Sequence, residues 1–453
     1  MSNERERATQ QPGFHWLGFT ARIPILHTRV CWPEFFQGIL VAAATALALV
    51  PLLTHYFGLS FEEAIAMSFL HSFLISASWM IFGEPYASGW LTPALPFVLT
   101  LLLSDSFSTP VERLQMMTAI SLDFALLLAV LGVSGLGAKL IKIMPEVLKG
   151  AVILGASIAA FIKVFDLQAA DNIFNTHPFS ASVAIGLSLL LAFSAPLHRL
   201  AGRYPMLARL VALGLLPGFI LGAIVGALMG ELQFDIEMGF FSLPMMDMFN
   251  KVSPFAIGWP SLDMFIQGIP LALIGYILFF GDLLTGKEVL AMVEKDREDE
   301  PLNFNDSRTH ISVAIRNAIS ALIAPFFPTQ GILWTGIHVV IAQRWQQGRQ
   351  VMGSLFDGIS SYYMLGLPFI FFLAPVVTGI KPMMPIALAV TLALTGFACA
   401  YVAMAKASNN AERGCMLLSA MCLALMDPWL GLILAVLMSV FLVDFKAADK
   451  EEA

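Results

Sequence analysis

Long apolar stretches separated by short polar breaks run through almost the whole chain. They predict helical spans at 35–53, 61–81, 91–103, 115–134, 147–164, 179–196 and 207–230. A second set follows at 263–292, 309–324, 331–343, 355–374, 385–404, 412–426 and 428–444. Most are long enough, at 1.5 Å per helical residue, to cross a hydrocarbon core about 30 Å thick. Two are too short to cross alone, 91–103 and 331–343. Each follows a stretch punctuated by Pro and Gly: Gly83-Glu84-Pro85-Tyr86-Ala87-Ser88-Gly89 and Pro325-Phe326-Phe327-Pro328-Thr329-Gln330-Gly331. Short, interrupted apolar segments at matching positions of two halves point to a transporter's binding site.

Composition sharpens this picture. The 25 Lys+Arg and 32 Asp+Glu make only 13% of 453 residues, and mean hydropathy is +0.79. A soluble domain carries about 25% charged residues. A soluble enzyme, a nucleic-acid binder and a disordered scaffold are thereby excluded, leaving a polytopic protein whose solvent is the lipid bilayer. With the N-terminus inside and fourteen crossings, 21 of the 25 basic residues fall on the cytoplasmic side, and only Arg113, Lys163, Lys251 and Lys381 fall outside. That bias predicts an integral plasma (inner) membrane protein with both termini cytoplasmic. The four cysteines lack metal-ligand spacing, and no phosphate-binding loop, HExxH helix or nucleophile elbow is present. Neither an enzyme nor a metal site is expected, and no cofactor beyond H⁺ or Na⁺ as coupling ion.

The halves repeat one another. Phe36-Gln37-Gly38-Ile39 returns as Ile266-Gln267-Gly268-Ile269, and Leu52-Leu53-Thr54 as Leu283-Leu284-Thr285 at nearly the same spacing. Met144-Pro145 and Met384-Pro385 open the fifth span of each half. Seven crossings per copy is an odd number, so the second copy must be upside down. The predicted fold class is all-α, with fourteen transmembrane segments in two inverted seven-helix repeats.

At this point the chain resembles the superfamily of uracil and xanthine permeases, nucleobase–ascorbate transporters, sulfate permeases and anion exchangers. Residues 43–53, AATALALVPLL, are similar to the first helix of uracil and xanthine permeases. Pro145-Glu146-Val147-Leu148-Lys149-Gly150, with Gly155 beyond, resembles the opening of helix five, and Asn317 through Pro328-Thr329 resembles helix nine and the unwound entry to helix ten. The resemblance implies a cytoplasmic tail (1–33) and a core domain of helices 1–4 and 8–11 (34–134 and 263–374). It also implies a gate domain of helices 5–7 and 12–14 (135–230 and 375–444), an external loop (231–262) and a second tail (445–453). Substrate would lie between the ends of half-helices three and ten, in an elevator-like carrier that dimerises through its gate domain. The small residues Gly150 and Gly155 would let core slide on gate. Where nucleobase permeases carry a second glutamate on helix ten, this chain has Thr335 or Trp334. Gly286 stands where they carry a histidine, and the arginine that sulfate permeases place near Thr335 is missing.

Asp282 is the sharpest candidate for a site, a lone carboxylate in an apolar run. Intramembrane acids are costly and are retained for substrate or proton paths. It falls where the resemblance implies a substrate-binding helix-eight carboxylate, and it is also the expected coupling group. Trp90 and Thr92 before and on the first half-helix, with Thr329, Gln330, Trp334 and Thr335 around the second, are expected to bind a small polar or anionic solute. Helix N-termini there would add free N–H groups. His338 and Asp123 are further candidates for ion coupling, and His71 for a proton relay or an internal hydrogen bond. Glu84 is expected to cap half-helix three. Arg316 and Lys287 are expected at the cytoplasmic surface, with an anion contact as the alternative for Arg316. Function reads as a secondary transporter of a nucleobase-like solute, oxyanion or carboxylate coupled to H⁺ or Na⁺. An uncoupled anion exchanger or conductor is the alternative.

Overall fold

The computed structural model describes residues 13–443 except 170, 171, 214 and 367. The tail expected at 445–453 and the first twelve residues lie outside the described residues. The chain is an all-α polytopic membrane protein. Its principal helices are α1 (Trp32–Thr45, continued through a 3₁₀ turn to Tyr56), α2 (Phe61–Met80), α3 (Leu95–Leu102, entered by a 3₁₀ turn Thr92–Ala94), α4 (Pro110–Ser134), α5 (Glu146–Phe165), α6 (Pro178–Phe193) and α7 (Leu216–Leu228). The second half supplies α8 (Leu262–Glu294), α9 (Asp306–Ile323), α10 (Thr335–Gln346), α11 (Leu355–Ser360, extended by π and 3₁₀ turns to Phe372), α12 (Met384–Met404), α13 (Asn410–Leu425) and α14 (Pro428–Phe441).

Among the described residues, four helical stretches can cross a membrane by length and apolar composition alone: α4, α5, α8 and Ala374–Met404, which contains α12. A fifth is possible if α6 and its bent continuation count as one. The expected fourteen crossings also require the shorter apolar helices. Two boundaries differ from expectation. The span expected at 207–230 is divided into Pro205–Ala212 and α7, and the one expected at 331–343 stays non-helical until Thr335.

Local chemistry sets the helix ends. Ser60 and Glu63 form a reciprocal capping box at α2, and Thr109 and Glu112 form another at α4, where Pro110 occupies the first turn. Gly135 stops α4 in the left-handed region at φ 65°. Packing joins α9 and α8 to α4, and α10 to α8. Separately, α12 and α13 pack on α5, α6 on α7 and α14 on α13.

The segment after residue 12 is not a loose tail. It forms a hairpin, β1 (Phe14–Trp16) and β2 (Phe19–Ala21), whose Trp16 Nε1–H donates to Ile81 O and whose following Arg22 N–H donates to Met80 O. Further on, Arg29 N–H donates to Asp357 and Cys31 N–H to Ser361. Backbone donors that a solvated tail would leave to water are thus spent on the ends of α2 and α11.

The four basic residues that break the charge bias converge on one end of the molecule, around residues 56–63. Arg113 donates to Tyr56 O, and the Lys163 ammonium lies 5.5 Å from the Tyr56 ring centroid. Lys251 pairs with Glu63 at 2.8 Å, and Lys381 lies 4.2 Å from the Phe61 ring centroid.

Candidate functional site

The two interrupted stretches cross. Leu91 N–H donates to Pro328 O (2.8 Å), Gly331 N–H to Gly89 O (2.8 Å) and Trp334 N–H to Ala87 O (2.7 Å), an antiparallel ladder between the two halves. Unwound backbone inside a membrane protein must find its hydrogen bonds in protein, and here each stretch supplies the other. The approach is so close that only glycine fits at two positions. A Cβ on Gly331 would lie 2.8 Å from Gly89 O, and one on Gly89 would lie 2.7 Å from Trp334 Cβ. The turn Thr92–Ala94, which leads into α3, and helix α10 start at this crossing.

Neither start has a side-chain cap. At the first, Pro93 has no N–H and Ala94 N–H is bonded to Leu91 O. At the second, the amides of Thr335, Gly336 and Ile337 have no protein acceptor among the described residues. Thr335 and Gly336 are exposed, and a Cβ on Gly336 would meet nothing within 4 Å. Three unpaired donors therefore stand at the positive end of a helix whose first residues, Thr335 and Gly336, are exposed, the arrangement that holds anions.

Asp282 lies on α8 at the same level. His338 Nε2–H donates to Gly286 O (3.2 Å), bringing the two helices together one turn below Asp282 and Thr335. The Asp282 carboxylate is half-buried, has no hydrogen-bond partner among the described residues, and lies within electrostatic reach of Cys399 on α12. It thus points from α8 toward the α5/α12 group. Gly281 beside it also opens on empty space.

The other expected site residues have different surroundings. Trp90 and Trp334 are half-buried against the apolar core, with the Trp334 ring edge-on to Tyr362, and Thr92 is half-buried at the first start. Thr329 and Gln330 lie behind the crossing. Thr329 Oγ1 is 2.7 Å from His71 Nδ1, and Gln330 Nε2–H donates to His71 O. His338 has both ring nitrogens engaged: Nδ1 accepts from Ala87 N–H (3.2 Å), so Nε2 carries the proton given to Gly286 O. Asp123 is remote. A Cβ on Gly268 would lie 2.5 Å from its Oδ2, and Gly268 is fourteen positions before Asp282, about 21 Å along the helix. Glu84 does not cap the first half-helix; it accepts from Arg308 Nε (3.0 Å) and Thr309 Oγ1 (2.6 Å). Gly150 faces Met416 of α13, whereas Gly155 faces Phe97 of α3 as well as α13.

Arg316 is the residue that pattern reading misplaced. It is 1% exposed, not at a surface, and its Nη2–H donates to Gly331 O (3.0 Å) while Nη1 lies 3.5 Å from Gln330 Oε1. Its Nε has no hydrogen-bond partner among the described residues. Glu84 is the carboxylate within its electrostatic reach, and Glu84 is already paired with Arg308. Two guanidinium groups thus bear on one carboxylate beside the crossing, and Arg22 lies within electrostatic reach of the same Glu84 and of Glu300. Burying a charge in a low-dielectric interior costs several kcal/mol, and intramembrane cations mark functional sites. A helix start read from the capping residue Asn305 would have flagged it, because Arg316 then sits three turns inside α9.

No protein-family model and no curated protein sequence matches this chain. Its structure is similar to the transmembrane domain of BicA, a cyanobacterium bicarbonate transporter. The TM-score is 0.51 and the identity 16%, over 89% of this chain and 97% of that one. The murine Solute Carrier 26 family member A9 anion transporter, in its inward-facing state, gives a TM-score of 0.48 at 12% identity. It covers 92% of this chain and 68% of that one, and nothing further rests on it. The chain thus shares its fold with the transmembrane domain of BicA. The narrower likeness to uracil and xanthine permeases gains no specific support.

Proposed function

We propose that this protein is a secondary transporter of a small oxyanion or carboxylate. The observation that carries this reading is the open start of α10. Three amides without a protein acceptor among the described residues start the helix there, with open space beside Gly336, the Arg316 guanidinium fixed behind the crossing and Asp282 alongside. Hydrogen bonds to a charged partner are each worth about 1.5–3 kcal/mol, so backbone donors alone could hold an anion without an arginine in the cavity. The fold likeness to a bicarbonate transporter supports the same class.

In this mechanism α1–α4 and α8–α11 form the moving core and α5–α7 with α12–α14 the gate, through which two copies pair. Both termini lie on the cytoplasmic side of the inner membrane. The anion binds at Thr335–Ile337, with Trp90, Thr92 and Trp334 shaping the cavity. Asp282 takes up H⁺ or Na⁺. Binding that cation cancels the repulsion between carboxylate and substrate, which couples the movement to an ion gradient. His338 acts as a neutral pin holding α10 against α8, while Thr329 and Gln330 hold the crossing and set the height of α10.

The test is uptake into proteoliposomes containing the purified protein, with bicarbonate, sulfate, small carboxylates and uracil offered under imposed pH or Na⁺ gradients. Gradient-stimulated uptake of an anion is expected, and Asp282→Asn should keep exchange while losing the stimulation. Uracil uptake with no anion uptake overturns the reading. Anion uptake that ignores every gradient and Asp282→Asn assigns an uncoupled exchanger or conductor instead.

A further inference from the structure

Away from the crossing, α6 bends by 65° into the short helix Ala195–Ala201, and a second short helix, Pro205–Ala212, precedes α7. The turn where they meet has two features that belong together. The first is a groove of about 390 Å³, lined by apolar side chains only: Leu187 of α6, Leu210 and Leu213 from the second short helix and its end, and Pro217, Leu221 and Ile224 of α7. The second is charge. Residues 172–230 contain no Asp or Glu, yet this stretch carries three arginines, among them Arg199 and Arg203. Both are exposed, and among the described residues neither has a carboxylate partner. The corresponding end of α5 is different, because there Lys149 and Lys406 share Glu146. Tyr204, 60% exposed between the two short helices, is the residue type that settles at headgroup depth.

An apolar groove, and two exposed arginines without a carboxylate partner among the described residues in the turn that leads to it, are complementary to one class of molecule. We infer that the α6–α7 turn binds an anionic phospholipid, one acyl chain lying in the groove and the phosphate on Arg199 and Arg203. Basic residues beside intramembrane grooves are suited to such headgroups, and the chain supplies the apolar part of the contact. The site stands apart from the transport reading and fails or survives independently of it.

Native mass spectrometry of the full-length detergent-purified protein tests it, titrating phosphatidylglycerol against phosphatidylcholine of identical chains. The first phosphatidylglycerol should bind at least tenfold more tightly. The double variant Arg199→Gln with Arg203→Gln should bring the two lipids within twofold, while Arg199→Lys with Arg203→Lys keeps the preference. Leu221→Trp, which fills the groove, should lower occupancy by both lipids. Equal binding of the two lipids by the parent overturns the proposal, as does a preference that survives in the glutamine variant. Displacement of bound lipid by glycerol phosphate at equal concentration also overturns it, since that would make the site one for free phosphate.

Discussion

The two broken segments are copies of one scaffold and differ in chemistry. Both leave the helical path for about ten residues, both pair with the other across the crossing, and both restart as helices of about three turns without a side-chain cap. The first restart is Thr92-Pro93, where proline removes one amide and Leu91 O takes another. The second is Thr335-Gly336-Ile337, with three amides that have no protein acceptor among the described residues and Arg316 bonded to the strand that leads in. An inverted repeat supplies the geometry twice, but the donors and the fixed charge are concentrated in one copy. The duplicated geometry is a structural requirement, and the unshared chemistry is where function is to be sought.

The largest expected effect comes from breaking the shared part. Gly331→Ala puts a methyl group 2.8 Å from Gly89 O and Leu91 N. Overpacking of this kind costs about 1–3 kcal/mol, and the ladder bonds are lost as well. A large fall in thermal stability should result, whereas Gly336→Ala, facing open space, should leave stability unchanged. Equal stability of the two variants would mean that the crossing is looser than described.

The unshared part is broken by Arg316→Gln. Removing the fixed charge takes away the cation bonded to Gly331 O, and anion uptake should fall by at least about thirtyfold, equivalent to roughly 2 kcal/mol. Arg316→Lys should recover only part of it, because an ammonium lacks the planar fork that reaches both Gly331 O and Gln330. Unchanged uptake in the glutamine variant would remove Arg316 from the site.

A smaller change makes the second segment resemble the first. Gly336→Pro copies the Thr-Pro start and deletes one amide, at a helix position that tolerates proline. Apparent anion affinity should drop about tenfold, the equivalent of one hydrogen bond to a charged group, with the maximal rate preserved. An unaltered affinity would show that the α10 amides do not touch substrate.

The smallest effect lies at a helix start that already holds its anion. Glu231 accepts from the Phe179 and Ser180 amides and from Ser180 Oγ, closing α6. Burial raises its carboxyl pKa, but the Ser180 and Phe179 hydrogen bonds outweigh this and hold it below the usual value. A carboxyl depressed in the folded state adds stability above its unfolded pKa, near 4.3, and loses it as pH falls through the folded value. Glu231→Gln should therefore cost about 1 kcal/mol at neutral pH. The gap to the parent should close below about pH 4, with anion affinity unaffected. A gap independent of pH would contradict the capping role.

Much of the fold was legible because apolar run length and charge placement act over whole helices. The two short spans and their Pro/Gly-rich entries stood out as matched irregularities, and Asp282 as a lone acid. Inside those entries no periodicity operates, so the sequence could not say which side chains face the cavity. Thr329 and Gln330 turn away to His71 and Arg316, a register set by a backbone ladder between segments some 240 positions apart. Arg316 was counted with loop charges because the charge bias treats a basic residue near a span end as cytoplasmic. Depth depends on where α9 begins, and Asn305 caps a helix that starts at Asp306, which puts Arg316 about three turns inside it. Glu84 was hidden for the same reason, since its partners lie on another helix.

The most direct measurement is ligand-dependent thermal stabilisation of the purified protein, comparing bicarbonate, sulfate, small carboxylates and nucleobases for the parent and for Arg316→Gln. A bound ligand raises stability by mass action. The account predicts stabilisation of the parent by at least one of the anions, lost in the variant, and no response to nucleobases. Stabilisation by a nucleobase, or an anion response that persists without Arg316, would contradict it.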